Sequence, residues 1–190
     1  GFYHLYLSPT GQWQLQYLDG FTETALYFTL DATAKIWILS SRGVERLTID
    51  LAQNKVVPEL IIEQSASHRI YSLTHLQKQV LITSDNHCLL VDTNGTISTD
   101  TQLLNQLSGN HRYLNVEEDT QHNVWYIYDN RVSVRPYDPQ SQSYHNEQIL
   151  RYSASQFIGG FTNLTPSSKG GVIVGGVDGF YYMQAADNQP

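Results

Sequence analysis

Short apolar runs in this chain alternate residue by residue with polar positions and stop at clusters of Asp, Asn, Gly, Pro and Ser. That period of two marks half-buried strands joined by tight turns. Residues 110–150 show it most plainly: "RYLNVEED" reads as strand A, "TQHN" as a turn, "VWYIY" as strand B, "DNR" as a turn and "VSVRPY" as strand C. After "DPQSQS", the run "YHNEQIL" reads as strand D, completing an antiparallel meander. Pro136 has no ladder donor, so a bulge or an early strand end is expected there. Only "TDTQLLNQL", around Leu103, carries a pattern that could make a short helix.

The meander recurs. "DATAKIWILSSRGVERL" from Asp31 and "DTQHNVWYIYDNRVSVR" from Asp119 both read Asp, four residues, an aliphatic and then Trp, and they lie 88 positions apart. "HLQKQVLITSDNHCLLV" from His75 falls midway, and "SSKGGVIVGGVDGFYYM" from Ser167 follows. Ile36, Val80, Val124 and Val172 align, as do Trp37, Leu81, Trp125 and Ile173, and then Gly43, His87, Arg131 and Gly179. "HRIYSLT" at His68 and "HRYLNVEED" at His111 form a second echo, 43 positions apart. A repeat of about 44 residues built from short apolar runs fits four-stranded propeller blades and not helical solenoids.

The expected fold is therefore all-β, a β-propeller segment of four-stranded antiparallel blades with about four blades' worth of strands. The first residues, "GFYHLYL" and "GQWQLQYL", match strands C and D, as the late "GFYYM" matches strand C. Residues 1–20 then supply strands C and D of one blade; 21–62, 63–108 and 109–155 are whole blades; 156–183 supply strands A to C of a last one, and 184–190 an exit linker. A start in mid-blade reads as part of something longer. Trp37 and Trp125 are expected to pack between adjacent blades.

Composition agrees with β structure: 13 Tyr, 3 Trp and 41% hydrophobic residues. The balance of 11 basic against 18 acidic side chains gives a net charge of −7, which repels phosphate backbones, so nucleic acid is not an expected partner. The single cysteine, Cys88, excludes an intrachain disulfide and sits in "CLLV", as a buried thiol would. No apolar run reaches membrane-spanning length, so a membrane could be met only through segments outside this chain.

With the residues aligned, the unit resembles the propeller repeat of two-component regulators, the periplasmic sensor blades of hybrid histidine kinases and related bacterial signalling proteins. Asp31, Ile36, Trp37, Ile38, Gly43 and Val44 carry the likeness, as do Asp119, Val124 and Trp125. Gly175, Gly176, Gly179 and Phe180, with Pro190 beyond, are similar to that family's closing blade. The pattern departs where the glycine of the turn between strands A and B is replaced by Ala34, Lys78 and His122, surviving as Gly170; His75 and Leu81 displace Asp and Trp. Without glycine at a positive-φ position, longer or different turns are expected there.

No nucleophile elbow, phosphate-cradling loop or zinc-helix motif occurs. The seven His are scattered at blade spacing, so no metal, cofactor or catalytic residue is assigned. In a propeller, the turns between strands B and C and the links from D to the next A share one face. That face would collect Arg42, Asn86, His87, Asn130, Arg131 and Asp178 from the turns, with His68, Arg69, His111 and Arg112 at the starts of strand A. Arg and His there could grip a carboxylate or a sulfated sugar; solvated turn residues are the alternative.

The resemblance implies a non-catalytic sensor domain, extracytoplasmic and periplasmic, in an inner-membrane receptor that signals through a histidine kinase or cyclase. It implies an oligosaccharide or other small-molecule ligand, and a homodimer through the parent receptor. Two alternatives stay open: a protein-interaction scaffold, and a propeller-type lyase or hydrolase.

Overall fold

The computed structural model describes residues 1–65, 69–77, 79–84, 88–98, 102–107, 115–128, 131–150, 161–176 and 179–185. The chain opens with an antiparallel pair, β1 (Phe2–Leu7) and β2 (Trp13–Leu18), in register from Phe2 opposite Leu18 to Leu7 opposite Trp13. The next sheet is β3 (Tyr27–Leu30), β4 (Ile36–Leu39), β5 (Gly43–Asp50) and β6 (Lys55–Glu63) in sequence order. A third follows as β7 (Ile70–Leu76), β8 (Gln79–Ser84), β9 (Cys88–Val91) and β10 (Ile97–Ser98), then the six-residue helix α1 (Gln102–Leu107). The fourth sheet contains β11 (Asn115–Glu118), β12 (Val124–Tyr128) and β13 (Arg131–Arg135). A separate hairpin, β14 (Tyr137–Asp138) and β15 (Ser143–Tyr144), interrupts it before β16 (Gln148–Leu150) joins β13. The last sheet is β17 (Phe161–Pro166), β18 (Val172–Gly176) and β19 (Gly179–Met183).

The first strand of each of the last four sheets touches the first strand of the next: β3 meets β7, β7 meets β11 and β11 meets β17. Sheets fanned about an axis in this way are propeller blades, and the fold is all-β with about four blades' worth of strands.

Strand B of each blade shows why the sequence folds so. In β4, Trp37 and Leu39 join Val80 and Ile82 of β8 in one core, while Ile38 joins Leu18, Phe21 and Leu47 in another. In β12, Val124 and Tyr126 pack with Leu81 and Leu90, whereas Trp125 and Ile127 pack with Val172 and Val174. Successive side chains serve opposite seams, so a strand between two blades is apolar on both faces, as "IWIL" and "VWYIY" are. Trp37 and Trp125 are both fully buried at equivalent places.

The repeated Asp has a defined task. Asp31 Oδ1 accepts the backbone N–H of Thr33 (2.8 Å) and Lys35 (3.1 Å), holding the turn, and Oδ2 accepts Trp37 Nε1–H at 2.9 Å. Asp119 repeats this with Gln121 (2.8 Å), Asn123 (3.0 Å) and Trp125 Nε1–H (2.8 Å). Its Oδ2 also accepts Asn123 Nδ2–H and, across the seam, the backbone N–H of Gly171, each at 3.0 Å. Burial by itself would raise the Asp31 carboxyl, but hydrogen bonds from Thr33, Trp37 and Lys35 outweigh it and hold the group below its ordinary value.

Two sequence expectations need correction. Loss of the turn glycine does not change the turn at two of the three positions, Ala34 (φ 61°) and His122 (φ 66°), which take up the left-handed conformation that Gly170 (φ 81°) adopts in the last blade; Lys78 lies outside the described residues. The same backbone bonds close all three, from Ala34 to Asp31, His122 to Asp119 and Gly170 to Ser167. The Asp carboxylate caps the loop strongly enough to carry a penalty of about 1 kcal/mol for a β-carbon at positive φ. The second correction is in strand D of the fourth blade. Only Gln148–Leu150 pairs with β13, because Pro136 ends that strand at Arg135 and the chain turns out into β14 and β15 before returning. At Gly43 (φ 140°), a β-carbon would stand 2.0 Å from the Ile62 carbonyl oxygen, so strand C must start there with glycine.

Candidate functional site

The face expected from the turns lies largely outside the described residues: His68, Asn86, His87, His111, Arg112, Asn130 and Asp178 all do. Arg42, Arg69 and Arg131 are described. Arg131 opens β13, exposed, opposite Tyr128 in register, and Arg69 immediately precedes β7. Arg42 sits in the turn between β4 and β5, where its carbonyl accepts the Gln64 backbone N–H at 2.8 Å. Its Nη1 stands 3.3 Å from Glu45 Oε1.

Glu45 was not singled out from sequence. It is fully buried in β5, and neither carboxylate oxygen has a described hydrogen-bond partner. Burial raises its pKa, Arg42 opposes that rise and nearby Glu23 adds to it. Glu45 lies opposite Ile38 in the regular β4–β5 register, so its side chain is on the same side of the sheet as Ile38. Close by, an apolar cavity of about 550 Å³ opens between the β1 edge and β3–β4, lined by Phe2, Phe21, Phe28, Ile36 and Ile38, with Glu23 at its margin.

A second site lies where the repeat is broken, at the seam between the third and fourth blades. Trp is replaced there by Leu81, and the vacated volume is filled by Leu103, Leu104 and Leu107 of α1 with Tyr144 of the inserted hairpin packed against them. A cleft of about 190 Å³ remains. Leu76, Leu90 and Leu103 make its apolar floor; Gln77, Gln79, Gln142, Ser143 and Tyr144 supply amides and hydroxyls. None of these lining residues is charged.

The polar groups around the cleft are tied across the seam. Gln77 Nε2 donates to Tyr144 Oη at 3.3 Å, and the Gln77 backbone N–H donates to Glu118, which also pairs with His122. The Tyr137 ring meets His122 edge-on, with centroids 5.8 Å apart, and lies tilted against Tyr144 at 5.3 Å. Burial, then Glu118 and Tyr137, push the Tyr144 hydroxyl above its usual range, so it stays protonated and can donate. Among the described residues five non-glycine residues have positive φ, and three of them, Gln77, His122 and Gln142, belong to this seam. Glycine would adopt those conformations without strain; the sequence keeps hydrogen-bonding side chains there instead.

Sequence reasoning missed this cleft because most of its polar residues come from a turn and an insertion that obey no period. The visible signals were Leu81 at a Trp position and the extra length of "DPQSQSYHNE". Cys88 behaves as expected, buried in the same core with its thiol pushed up to about 11 by burial. Among the described residues no group of three or more His, Cys, Asp or Glu could hold a metal ion.

No protein-family model matches the chain, and no curated protein matches it in sequence. Solved structures match it in shape. The extracellular domain of a hybrid two-component system from B. thetaiotaomicron superposes with a TM-score of 0.57 at 14% identity, over 90% of this chain and 23% of that one. An auxiliary nutrient binding protein from Bacteroides ovatus gives 0.54 at 9% identity, over 93% and 50%. Virginiamycin B lyase from Staphylococcus aureus gives 0.51 at 11% identity, over 98% and 64%. The chain thus spans less than two thirds of each of these proteins. At such identities the likeness is one of fold, which receptors, binding proteins and enzymes share.

Proposed function

We propose that the chain is a non-catalytic, ligand-binding propeller segment of an extracytoplasmic bacterial sensor of the two-component type, and that its ligand is a neutral oligosaccharide. The observation that carries this reading is the cleft at the irregular seam, with three side-chain amides, two hydroxyls and an apolar floor, and no charge among its described lining residues. A sugar ring offers the complementary surface, hydroxyls at the edge and an apolar face of C–H groups. Fold likeness to the extracellular domain of a hybrid two-component system and to a nutrient binding protein supports the extracytoplasmic sensor role. Because Gln77 and Tyr144 come from adjacent blades, a ligand held between them favours one arrangement of the seam over another, which is what a receptor needs to transmit occupancy.

The test is a thermal-shift screen of neutral, carboxylated and sulfated glycans against the 190-residue chain and its Tyr144→Ala variant. One class of neutral glycan should raise the midpoint of the parent chain and leave the variant unmoved, with stabilisation of about 2.7 kcal/mol at a hundredfold excess over Kd. Response to sulfated or carboxylated glycans alone moves the site to the arginine-bearing face. No response to any glycan overturns the reading.

A further inference from the structure

We infer that Glu118 is the positioning residue of the cleft: from the fourth blade it holds the Gln77 turn of the third, and so fixes the amide that Gln77 presents beside Tyr144. The choice of probe in the test below rests on the glycan reading. The geometry does not.

Gln77 directly follows β7 and has a φ of 50°, a left-handed conformation that is costly for a residue with a β-carbon. The corresponding turns of the second and fourth blades are held by their own Asp31 and Asp119, whose carboxylates accept backbone N–H groups within the turn. In the third blade His75 stands at the Asp position, so that carboxylate is missing from the repeat. The neighbouring blade supplies it instead: Glu118 Oε2 accepts the Gln77 backbone N–H across the seam.

Glu118 is placed and oriented for this task. It ends β11, and its side chain is only 8% exposed. Val116, two positions earlier and therefore on the same side of the strand, lies in the core with Leu76 and Leu90, which sets Glu118 toward the third blade. Glu118 Oε1 pairs with His122 Nδ1, and His122 is held at φ 66° in the turn that Asp119 caps. With both oxygens engaged, the carboxylate has one orientation, and a charged acceptor bonds an N–H more strongly than a neutral one.

The effect reaches the cleft through one side chain. Gln77 Nε2 donates to Tyr144 Oη at 3.3 Å, and the Tyr137 ring touches both His122 and Tyr144, so the contacts close a circuit through both blades and the inserted hairpin. The bond to Tyr144 sets the polarity of the amide. Its nitrogen faces the tyrosine, and its oxygen is the acceptor left to a ligand, beside a hydroxyl that can donate. An acceptor next to a donor suits a sugar hydroxyl, which gives and takes a hydrogen bond at once.

Nuclear magnetic resonance of the isotope-labelled 190-residue chain tests the inference with Glu118→Ala and Glu118→Gln. In the parent, the Gln77 backbone amide should exchange slowly with solvent and its side-chain amide should show contacts to the Tyr144 ring. Glu118→Ala should speed that exchange by about tenfold or more and abolish the side-chain contacts. Glu118→Gln keeps an acceptor oxygen and should restore both in part. The Ala34 amide, bonded to the Asp31 carbonyl in another blade, should exchange as in the parent. Methyl glucoside, titrated into the same samples, should bind Glu118→Ala about tenfold more weakly than the parent, with Glu118→Gln between them. A Gln77 amide unchanged in Glu118→Ala overturns the inference, whatever glycan binds. Equal acceleration at Gln77 and Ala34 overturns it too, because it marks a general loss of stability. A parent that ignores methyl glucoside while the Gln77 amide responds as expected supports the positioning role and counts against the glycan reading alone.

Discussion

The seam between the second and third blades and the seam between the third and fourth differ at two positions of the repeat, Asp31 and Trp37 against His75 and Leu81, and nearly everything distinctive follows from them. At the first, the Trp37 indole is anchored to Asp31, and Arg46 lies over its ring at 5.7 Å while bonding Glu59 and, across the seam, the Thr93 carbonyl. A large rigid side chain with one polar atom, satisfied by a carboxylate that also holds the turn, makes a closed joint. At the second, Leu81 brings no indole and no Asp precedes it; a helix, an inserted hairpin and Tyr144 occupy the space, and a cleft is left over. Regular seams close tightly between blades, and the irregular one leaves an open cleft.

The comparison breaks most visibly by removing the tryptophan. Trp125→Ala should lower unfolding stability by about 3–5 kcal/mol in urea titrations, because the void cannot collapse between two sheets and Asp119 loses a donor. Tyr144→Ala should cost less, about 1–3 kcal/mol, since that residue is half-buried and borders an existing cleft.

Asp119 sharpens the same contrast. Asp119→Ala should cost about 3 kcal/mol and Asp31→Ala about half that, because only Asp119 also holds the neighbouring blade, through Gly171. Equal losses measured by denaturant would show that the bond across the seam contributes nothing.

A pH titration examines the tryptophan seam from inside. Glu117 lies opposite Trp125 in register, and burial pushes its carboxyl from 4.5 up to about 7. The folded state therefore keeps a proton that the unfolded state has lost, so stability falls as pH rises from 4.5 to 7, by about 1–3 kcal/mol from this group. Glu117→Gln should flatten that slope in thermal melts at a series of pH values; an unchanged slope would place the titration elsewhere. The smallest effect belongs to a turn. Ala34→Gly should raise the unfolding midpoint slightly, by about 0.5–1 kcal/mol in stability, by removing a β-carbon at φ 61°.

The strands and seams were legible because alternation and a period near 44 residues survive in the apolar positions even where the motif is degraded. Val80 and Ile82 fill the places of Ile36 and Ile38, and burial enforces them without Asp or Trp. The turns misled because glycine was read as the requirement, whereas the requirement is a positive φ, which the Asp-capped hydrogen bonds impose on Ala34 and His122. Strand D of the fourth blade was placed early because "YHNEQIL" alternates; pairing of Tyr144 with Tyr137 in the inserted hairpin competes for the first of these residues.

By itself the sequence determined the repeat, the order of strands within a blade and the burial of Trp37 and Trp125, since each depends on spacing along the chain and on which residues avoid water. Tertiary structure alone decided that Asp119 reaches Gly171 and that Gln77 meets Tyr144 across a cleft. Those are contacts between residues from different blades or different strands, and their distances are set by how twisted sheets fan about an axis, which no local pattern encodes.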